Sequence, residues 1–361
     1  MSEEQEKIYY KDGIPIVKGV VLTQALVDTY ADEYKRAMNY WLLYPDLFLD
    51  LIHDDINDPN FHLMYYQREA LRSIMRYKNV SFTATRATSK SFIAYLAYFL
   101  RAVFNPDIKL CIVADVKKTV IATAKQKFEE IFRHWPLLER ELKTRSDDGE
   151  QGLKKSNDYY QLRFKNGAEL SVIAKDSSRG LRLHGILFEE SALIDEISHN
   201  EVLIPMMNVD LRESDGTVNP EAPNGQSVYI TTAGNKTCFM YSKLIELTVN
   251  SILRPNEFYV FGMDYRVPVY YGLIAQSKID DQRLSSTYST EAFARESMSI
   301  GISGWTIKLF NCWNLLLGQS AAKSAISRNV QRPFLREVAS SGAKRQLLLS
   351  NKDMVCSHMK V

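Results

Sequence analysis

The chain has few cysteines, no long apolar run and no excess of charge of either sign. Its 361 residues include four cysteines, which lack the CxxC spacing of a structural zinc site and are too few for a dense disulfide framework. The longest apolar run, residues 92–100, is too short to cross a bilayer. The N-terminus is acidic and polar, so we expect no signal peptide. We therefore expect neither a secreted protein, nor a membrane protein, nor a zinc finger.

Basic residues are concentrated at the C-terminal end. Residues 306–361 contain nine Lys or Arg and two acidic residues, although the whole chain has a formal net charge of +2. The rest of the chain is therefore slightly acidic. Such an imbalance fits either an arm that binds a polyanion or a segment of different origin from the body.

Hydrophobic residues make up 45% and charged residues 24% of the chain, which is typical of a globular protein. Apolar residues lie at roughly helical spacing over residues 22–38, and an apolar-aromatic stretch over residues 41–52 is broken by Pro45. We therefore expect a helical N-terminal segment over residues 1–60. Over residues 61–265, strand-like apolar runs alternate with segments long enough for helices. This alternation predicts an α/β domain whose mostly parallel sheet has helices on both faces.

The strand-like runs are residues 80–84, 110–114, 186–188, 228–232 and 258–263, and the helical segments are residues 91–104, 118–132 and 241–253. One hairpin interrupts this alternation. Its two strands flank Asn166 and Gly167, a dipeptide that favours a tight hairpin turn.

A candidate phosphate-binding loop lies between the first of these strands and the helix that follows it. Lys90 and Ser91 have the spacing of the pattern G-x-x-x-x-G-K-[ST], but Ala84 and Ser89 replace both glycines. In such a loop, backbone N–H groups hold phosphate oxygens, the lysine neutralises the β- and γ-phosphates, and the hydroxyl ligates Mg²⁺. We predict ATP and Mg²⁺ as cofactors and the following nucleotide-binding residues: Thr85, Arg86, Ala87, Thr88, Ser89, Lys90 and Ser91. A polar helix N-cap followed by an unrelated lysine is the alternative interpretation.

Two adjacent carboxylates, Glu189 and Glu190, follow a later strand-like run. Parallel α/β sheets bind ligands outside the carboxyl ends of their strands. We predict that Glu189 and Ser91 hold Mg²⁺ and that Glu190 orients and polarises the attacking water. Another run ends in Thr231 and Thr232, whose hydroxyls are candidates for coupling hydrolysis to the rest of the molecule. For the two glutamates the alternative is a solvated acidic strand end, and for the two threonines it is a plain exit from a strand.

Four further side chains are candidates for nucleotide contacts. Tyr66 and Gln67 precede the loop strand, where an aromatic ring stacks on adenine and an amide reads its edge. Arg86 lies inside the loop and would act beside Lys90 and Glu190 as a catalytic group that stabilises transition-state charge. Arg179 precedes the acidic strand and is a candidate sensor or trans-acting arginine; an ordinary surface position is its alternative.

In this order the elements resemble the ATPase domain of the large terminase subunit of tailed double-stranded DNA bacteriophages, from about residue 61 to about residue 304. The segments on which the resemblance rests are Tyr66-Gln67, residues 85–91, Arg179-Gly180, Glu189-Glu190 and residues 230–234. A phosphate loop that is poor in glycine and contains an arginine is a familiar variation in that family. The resemblance implies a P-loop NTPase fold of the ASCE/RecA-like type.

The resemblance also implies a DNA-packaging motor. Its partners would be double-stranded viral DNA, the portal protein and the small terminase subunit, and it would assemble as a homo-oligomeric ring on the portal. We expect it in the host cytoplasm and transiently at the portal vertex of the procapsid, with no membrane association.

Residues 266–305 would be the linker toward the C-terminal nuclease that large terminases have. After Trp305 the chain contains one aspartate, Asp353, and one glutamate, Glu337. Two-metal nuclease chemistry needs several carboxylates, so we expect no endonuclease activity from this chain. We interpret residues 306–361 as a frame-shifted or intron-derived tail, and a genuine DNA-binding arm is the rival hypothesis.

Two other functions fit some of these features. A subunit that binds nucleotide without turnover would explain the glycine-free loop. A helicase-like DNA-dependent ATPase would use similar loops, but it needs a second domain of roughly 150 residues, for which the chain after residue 265 is too short.

Overall fold

The structure is a computed structural model of the chain. It describes residues 9–11, 14–17, 20–21, 31–53, 57–144, 152–155, 160–175, 181–212, 216–218, 224–285 and 290–299. The linker predicted over residues 266–305 is described only in part, and the basic tail over residues 306–361 lies outside the described residues.

The strands are β1 (Tyr9–Lys11), β2 (Ile14–Val17), β3 (Val20–Val21), β4 (Asn79–Ala84), β5 (Lys109–Ala114), β6 (Leu153–Lys155), β7 (Tyr160–Arg163), β8 (Glu169–Ala174), β9 (Gly185–Glu189), β10 (Gln226–Thr231) and β11 (Phe258–Met263). The α-helices are α1 (Ala31–Leu43), α2 (Pro45–Ile52), α3 (Tyr65–Arg76), α4 (Lys90–Phe104), α5 (Lys117–His134), α6 (Pro136–Glu139), α7 (Phe239–Leu253), α8 (Arg266–Tyr270), α9 (Gln276–Leu284) and α10 (Thr290–Glu296). Short 3₁₀ helices span Ser191–Leu193 and Ile204–Met207, and a π-helical turn spans Ser198–Leu203. No helix in the described ranges has the length and apolarity that a membrane span requires.

The main sheet has the strand order β11-β4-β10-β9-β5-β8-β7-β6. Every pairing from β11 to β8 is parallel, whereas β7 and β6 form an antiparallel extension. β10 lies between β4 and β9, with Thr231 opposite Thr83 and Ile230 opposite Glu189. The carboxyl ends of these three strands therefore lie together at one edge of the sheet.

Helices cover both faces of this sheet. In β5, Leu110 and Ile112 pack into the apolar layer formed with α3, α4 and α5, while Cys111 and Val113 pack into the layer that includes residues of α7. This division follows from the alternation of side chains along a strand. Burial on both faces is the reason why β5 reads as a continuous apolar run. The mostly parallel α/β fold predicted from the sequence is confirmed.

The predicted hairpin is also present. β7 and β8 pair antiparallel, and Gly167 has a φ of +85°, a conformation that glycine adopts without strain. The side chain of Asn166 donates hydrogen bonds to the carbonyl oxygens of Ala102 and Val103, at 2.8 and 2.9 Å. The turn therefore satisfies carbonyl groups at the C-terminal end of α4, which is the helix that begins at the candidate phosphate loop.

A small antiparallel sheet of β1, β2 and β3 replaces part of the helical segment predicted over residues 1–60. That prediction is wrong for these strands. They are rich in Ile and Val, which favour extended backbone, and Pro15 has no N–H group with which to continue a helix. Helices α1 and α2 do follow, and Pro45 is the first residue of α2, where a proline is tolerated.

A buried carboxylate joins α2 to α3. Asp46 is almost fully buried, and it accepts hydrogen bonds from Arg72 at 2.6 and 2.7 Å and from Arg68 at 3.3 Å. Burial raises the pKa of Asp46, but the hydrogen bonds and charges of the two arginines outweigh burial and hold that pKa below its ordinary value. Because α3 begins with Tyr65 and Tyr66, this cluster fixes the helix that reaches the candidate loop.

We predict that Asp46→Asn destabilises the fold by about 2–4 kcal/mol, because it leaves two arginines beside a neutral buried group. Urea unfolding of the two proteins would measure this difference. The control is Asp50→Asn, since Asp50 also pairs with Arg68 but is half exposed; we expect a cost below about 1 kcal/mol there. Equal effects of the two substitutions would contradict a special role for the buried carboxylate.

Candidate functional site

The candidate loop and the acidic strand end meet at the carboxyl edge of the sheet. β4 leads into the loop, α4 begins at Lys90, and β9 ends at Glu189. The hydroxyl of Ser91 donates a hydrogen bond of 2.7 Å to Oε1 of Glu189. The structure therefore brings together the two residues that the sequence predicts as Mg²⁺ ligands, although 98 positions separate them.

The loop has the left-handed turn that its missing glycines would normally supply. Ser89 has a φ of 55° and Ala87 a φ of 62°. Thr88 Oγ1 donates to the carbonyl of Thr85 at 2.8 Å, and the N–H of Ile93 donates to the carbonyl of Ser89 at 3.1 Å, which closes the first turn of α4. A residue with a Cβ in this region is strained, so the loop stores strain at two positions. The strain at Ala87 is not apparent from the sequence pattern.

Glu189 is a buried carboxylate that lacks a complete set of partners. Burial raises the pKa of Glu189 to about 7, despite the hydrogen bond from Ser91 and the positive charge of Lys90. Its second oxygen, Oε2, is buried and has no hydrogen-bond partner among the described residues. A divalent cation satisfies such an oxygen and favours the ionised carboxylate. The donor set of Ser91 and Glu189 therefore fits Mg²⁺, an ion that prefers oxygen ligands.

Lys90 is half-buried, and its surroundings act on its pKa in opposite directions. Burial lowers the pKa of Lys90, the negative charges of Glu189 and Glu190 raise it, and the nearby Arg86 lowers it further. The ammonium group thus lies close enough to Glu189 and Glu190 for their negative charges to raise its pKa. It is placed to neutralise an anion that enters between the loop and the acids.

Glu190 has an exposed side chain on a strained backbone. Its φ is 47°, which is unusual for a residue other than glycine. The turn after it is held by Thr231, whose hydroxyl accepts a hydrogen bond of 3.3 Å from the N–H of Ala192 and donates one of 2.8 Å to the carbonyl of Thr232. Thr231 therefore joins the end of β10 to the turn that directs the Glu190 carboxylate.

Tyr66 and Gln67 both lie at the start of α3 and are buried. The hydroxyl of Tyr66 donates to the carbonyl of Thr88 at 3.1 Å, so Tyr66 supports the phosphate loop directly. Burial raises the pKa of Tyr66 to about 12, which keeps this hydroxyl a donor. Oε1 of Gln67 accepts a hydrogen bond from the N–H of Met64 at 2.8 Å, which caps α3. These contacts to the loop and the helix start are additional to the adenine contacts predicted from the sequence.

Arg86 extends from the loop to a helix that lies far along the chain. Its Nε donates a hydrogen bond of 2.8 Å to Oε2 of Glu296, on α10. No sequence signal identifies Glu296 as part of the site, since 210 positions separate it from its partner. Arg179, the predicted sensor, lies outside the described residues. Within the described ranges, at this site or elsewhere, no group of three His, Cys, Asp or Glu side chains could hold a metal ion.

Several solved structures of phage large terminases are similar to this structure. The ATPase domain of the Thermus phage P74-26 large terminase is similar with a TM-score of 0.50 and 16% identity, over 71% of this chain and 98% of that domain. The chain has the fold of a large terminase ATPase domain. The HK97 bacteriophage large terminase is similar with a TM-score of 0.50 and 11% identity, over 70% of this chain.

This chain spans 54% of the HK97 large terminase, so it corresponds to about half of that protein. The likeness to terminases is one of structure, because no protein-family model and no curated protein matches the sequence. At such low identity the likeness establishes the fold alone, and the chemistry depends on the residues of this chain.

We predict that Ser89→Gly stabilises the protein by about 0.5–1 kcal/mol, because glycine adopts the left-handed conformation without strain but loses more entropy on folding. The matched control is Ser89→Ala, which keeps the Cβ; the serine hydroxyl makes no capping hydrogen bond here. Urea unfolding midpoints measure both variants. A gain for alanine equal to the gain for glycine would refute the assignment of strain to the backbone.

We predict a pH-dependent stabilisation by Glu189→Gln in the absence of Mg²⁺. The pKa of Glu189 is raised in the folded state, so the wild-type protein loses stability as the pH rises from about 4.5 through about 7. Glutamine does not ionise and should gain about 3 kcal/mol over wild type at pH 8.5 and almost nothing at pH 4.5. Thermal or urea unfolding across this pH range measures the difference.

The control for that series is Glu190→Gln, which replaces an exposed carboxylate next to the buried one. Burial is the main cause of the raised pKa of Glu189 and the charge of Glu190 only adds to it, so we expect a much smaller change of the stability difference with pH than for Glu189→Gln. A pH-independent effect of Glu189→Gln, or an equal series from both variants, would contradict the burial argument.

Proposed function

We propose that this chain is an ATP-hydrolysing motor subunit of the large terminase type, which translocates double-stranded viral DNA into a procapsid. The observation that supports ATP hydrolysis most directly is the contact of Ser91 with Glu189 at the carboxyl edge of the sheet, beside Lys90. The likeness to solved structures of large terminases supports the packaging role.

Each residue has a role that follows from its position. Backbone N–H groups at the start of α4 would bind phosphate oxygens, and Lys90 would neutralise the β- and γ-phosphates. Ser91 and Glu189 would hold Mg²⁺, which supplies charge neutralisation at the phosphates when it is bound. Glu190 would orient and deprotonate the attacking water, and Arg86 would stabilise the charge that develops on the γ-phosphate.

Thr231 and Thr232 would couple hydrolysis to the rest of the molecule. The hydroxyl of Thr231 contacts both the turn after Glu190 and the exit of β10, so a change at the acid is passed to the neighbouring strand. Tyr66 would act from the opposite side, because it holds the carbonyl of Thr88 within the loop.

The wider setting is that of a packaging motor. The partners we propose are viral DNA, the portal protein, the small terminase subunit and further copies of this chain in a ring, at the procapsid vertex in the host cytoplasm. An endonuclease activity is not part of the proposal.

A nucleotide-binding subunit without turnover is the alternative, since the loop has neither of the usual glycines.

We predict that Lys90→Ala lowers the Mg²⁺-dependent ATPase rate at least about 100-fold, because it removes the charge that faces the phosphates. The matched control is Lys109→Ala, since Lys109 is exposed at the first residue of β5, the opposite edge of the same sheet. Steady-state turnover with and without double-stranded DNA measures the effect. Equal rates for wild type and Lys90→Ala would contradict the proposed site.

Replacement of the proposed general base, Glu190, distinguishes an ATPase from a subunit that binds nucleotide without turnover. Glu190→Gln should lower turnover about 10²–10⁴-fold, since general base catalysis is lost, while nucleotide affinity stays near that of wild type. Nucleotide binding that depends on Lys90, without turnover in either the wild-type protein or this variant, even with DNA, would favour the non-catalytic subunit.

A further inference from the structure

Lys175 joins two strand ends to the segment that follows Glu190. It comes directly after β8, and its Nζ lies 2.7 Å from Oδ1 of Asp115, which comes directly after β5. The same Nζ donates a hydrogen bond of 3.0 Å to Oδ2 of Asp195. The lysine side chain is 19% exposed, so the protein covers most of it. One ammonium group therefore connects the carboxyl ends of β5 and β8 to the chain just beyond the acidic end of β9.

The chain between Glu190 and Asp195 is a compact turn. The N–H of Leu193 donates to the carbonyl of Glu190 at 2.9 Å, and the N–H of Ile194 donates to the carbonyl of Ser191 at 3.0 Å. Glu190 itself has a φ of 47°, a conformation that a residue with a Cβ keeps only when its surroundings hold it there. The direction of the Glu190 carboxylate therefore depends on what holds this turn.

The turn is held from both neighbours of β9, since β9 lies between β10 and β5 in the sheet. On the β10 side, Thr231 accepts a hydrogen bond of 3.3 Å from the N–H of Ala192. Further along, Nε2 of the buried His199 is hydrogen-bonded to the hydroxyl of Tyr229 at 2.9 Å. On the β5 side, the attachment is the ion pair of Lys175.

The charge of Lys175 is essential to that attachment. Hydrogen bonds to Asp115 and Asp195 raise the pKa of Lys175, so its ammonium group stays charged. Hydrogen bonds from Ser198 and Lys175 lower the pKa of Asp195, so this carboxylate is ionised as well. Two carboxylates that contact one ammonium group lie close together, and without the lysine charge they would repel each other. Loss of that charge should therefore displace Asp195 and the turn before it.

We propose that Lys175 is a positioning residue for Glu190, and that it acts through Asp195. The ion pair holds the turn, and the turn directs the Glu190 carboxylate toward the attacking water. Lys175 itself takes no part in proton transfer, because two aspartates engage its ammonium group. This inference rests on the proposed ATPase function and adds a residue that lies outside the loop and acidic-strand patterns of the sequence.

The test uses the full chain with Lys175→Met, which keeps an unbranched side chain and removes the charge. We expect kcat of the Mg²⁺-dependent ATPase to fall about 10- to 100-fold, with KM within about 2-fold of wild type, because a displaced general base slows the reaction and not binding. Lys175→Arg keeps the charge, and a guanidinium group can contact two carboxylates, so this variant should recover most of the rate.

The matched control is Lys243→Met. The side chain of Lys243 is also 19% exposed, and it forms a 2.8 Å ion pair with Glu246 on α7, away from the turn after Glu190. We expect this substitution to change kcat by less than about 2-fold. Urea unfolding of every variant checks that each protein is folded under the assay conditions.

A second comparison separates positioning from an independent effect. In a Glu190→Gln background the general base is already absent, so Lys175→Met should change the residual turnover little. Isothermal titration with Mg²⁺·ATPγS should give affinities within about 2-fold of each other for wild type, Lys175→Met and Lys175→Arg, since the ion pair does not contact the phosphate loop.

The outcomes distinguish this inference from the proposed function. An equal fall in kcat on adding Lys175→Met to wild type and to Glu190→Gln would overturn the positioning role and leave the ATPase standing. A Lys175→Met rate near that of wild type, or a lost rate that Lys175→Arg fails to recover, would also overturn it. An absence of Lys90-dependent turnover in the wild-type chain, with and without double-stranded DNA, would overturn the proposed function, and the positioning role with it.

Discussion

The hydrogen bond from Ser91 to Glu189 is the contact on which the rest of the site depends. It joins the start of α4 to the end of β9, and β10 lies between β9 and β4, the strand that leads into the loop. The spacing of parallel strands thus sets the gap between the loop and the acids. Lys90 lies on the loop side of this gap, close enough to Glu189 and Glu190 for their charges to raise its pKa. The site therefore has a position suited to an anion, beside Lys90, and a position suited to a cation, beside Glu189.

The energetic costs of this arrangement are backbone strain and a buried charge at the site itself. Ser89, Ala87 and Glu190 have left-handed backbone, and Glu189 is a buried carboxylate with an unpaired oxygen within the described residues. The buried carboxylate of Asp46, by contrast, accepts hydrogen bonds from Arg68 and Arg72. Strain and desolvation at a sheet edge are offset when a ligand binds the strained form, since binding energy adds to the stability of that form. In the proposed function, Mg²⁺ and phosphate would supply the charges that this edge lacks.

Local sequence patterns predicted the elements that depend on local chemistry. Asn166-Gly167 predicted the hairpin because the turn needs a left-handed glycine, and the apolar run after Leu110 predicted a strand buried on both faces. The strands within residues 9–21 differ from the helix predicted over residues 1–60, because that prediction rests on the helical spacing of residues 22–38, whereas the Ile and Val residues of the strands favour extended backbone. The pairing of Arg86 with Glu296 is beyond any local pattern, since it depends on how β11 and α10 return to the loop.

The central claim is that the edge formed by the loop and the acidic strand binds Mg²⁺ and ATP. A crystal structure of the chain with Mg²⁺ and a non-hydrolysable ATP analogue tests it most directly. The account predicts phosphate oxygens on the N–H groups at the start of α4, with the metal between Ser91 and Glu189 and the Glu190 carboxylate facing the γ-phosphate. A nucleotide bound elsewhere, or a Ser91–Glu189 hydrogen bond that persists with no metal beside it at saturating Mg²⁺·nucleotide, would contradict it.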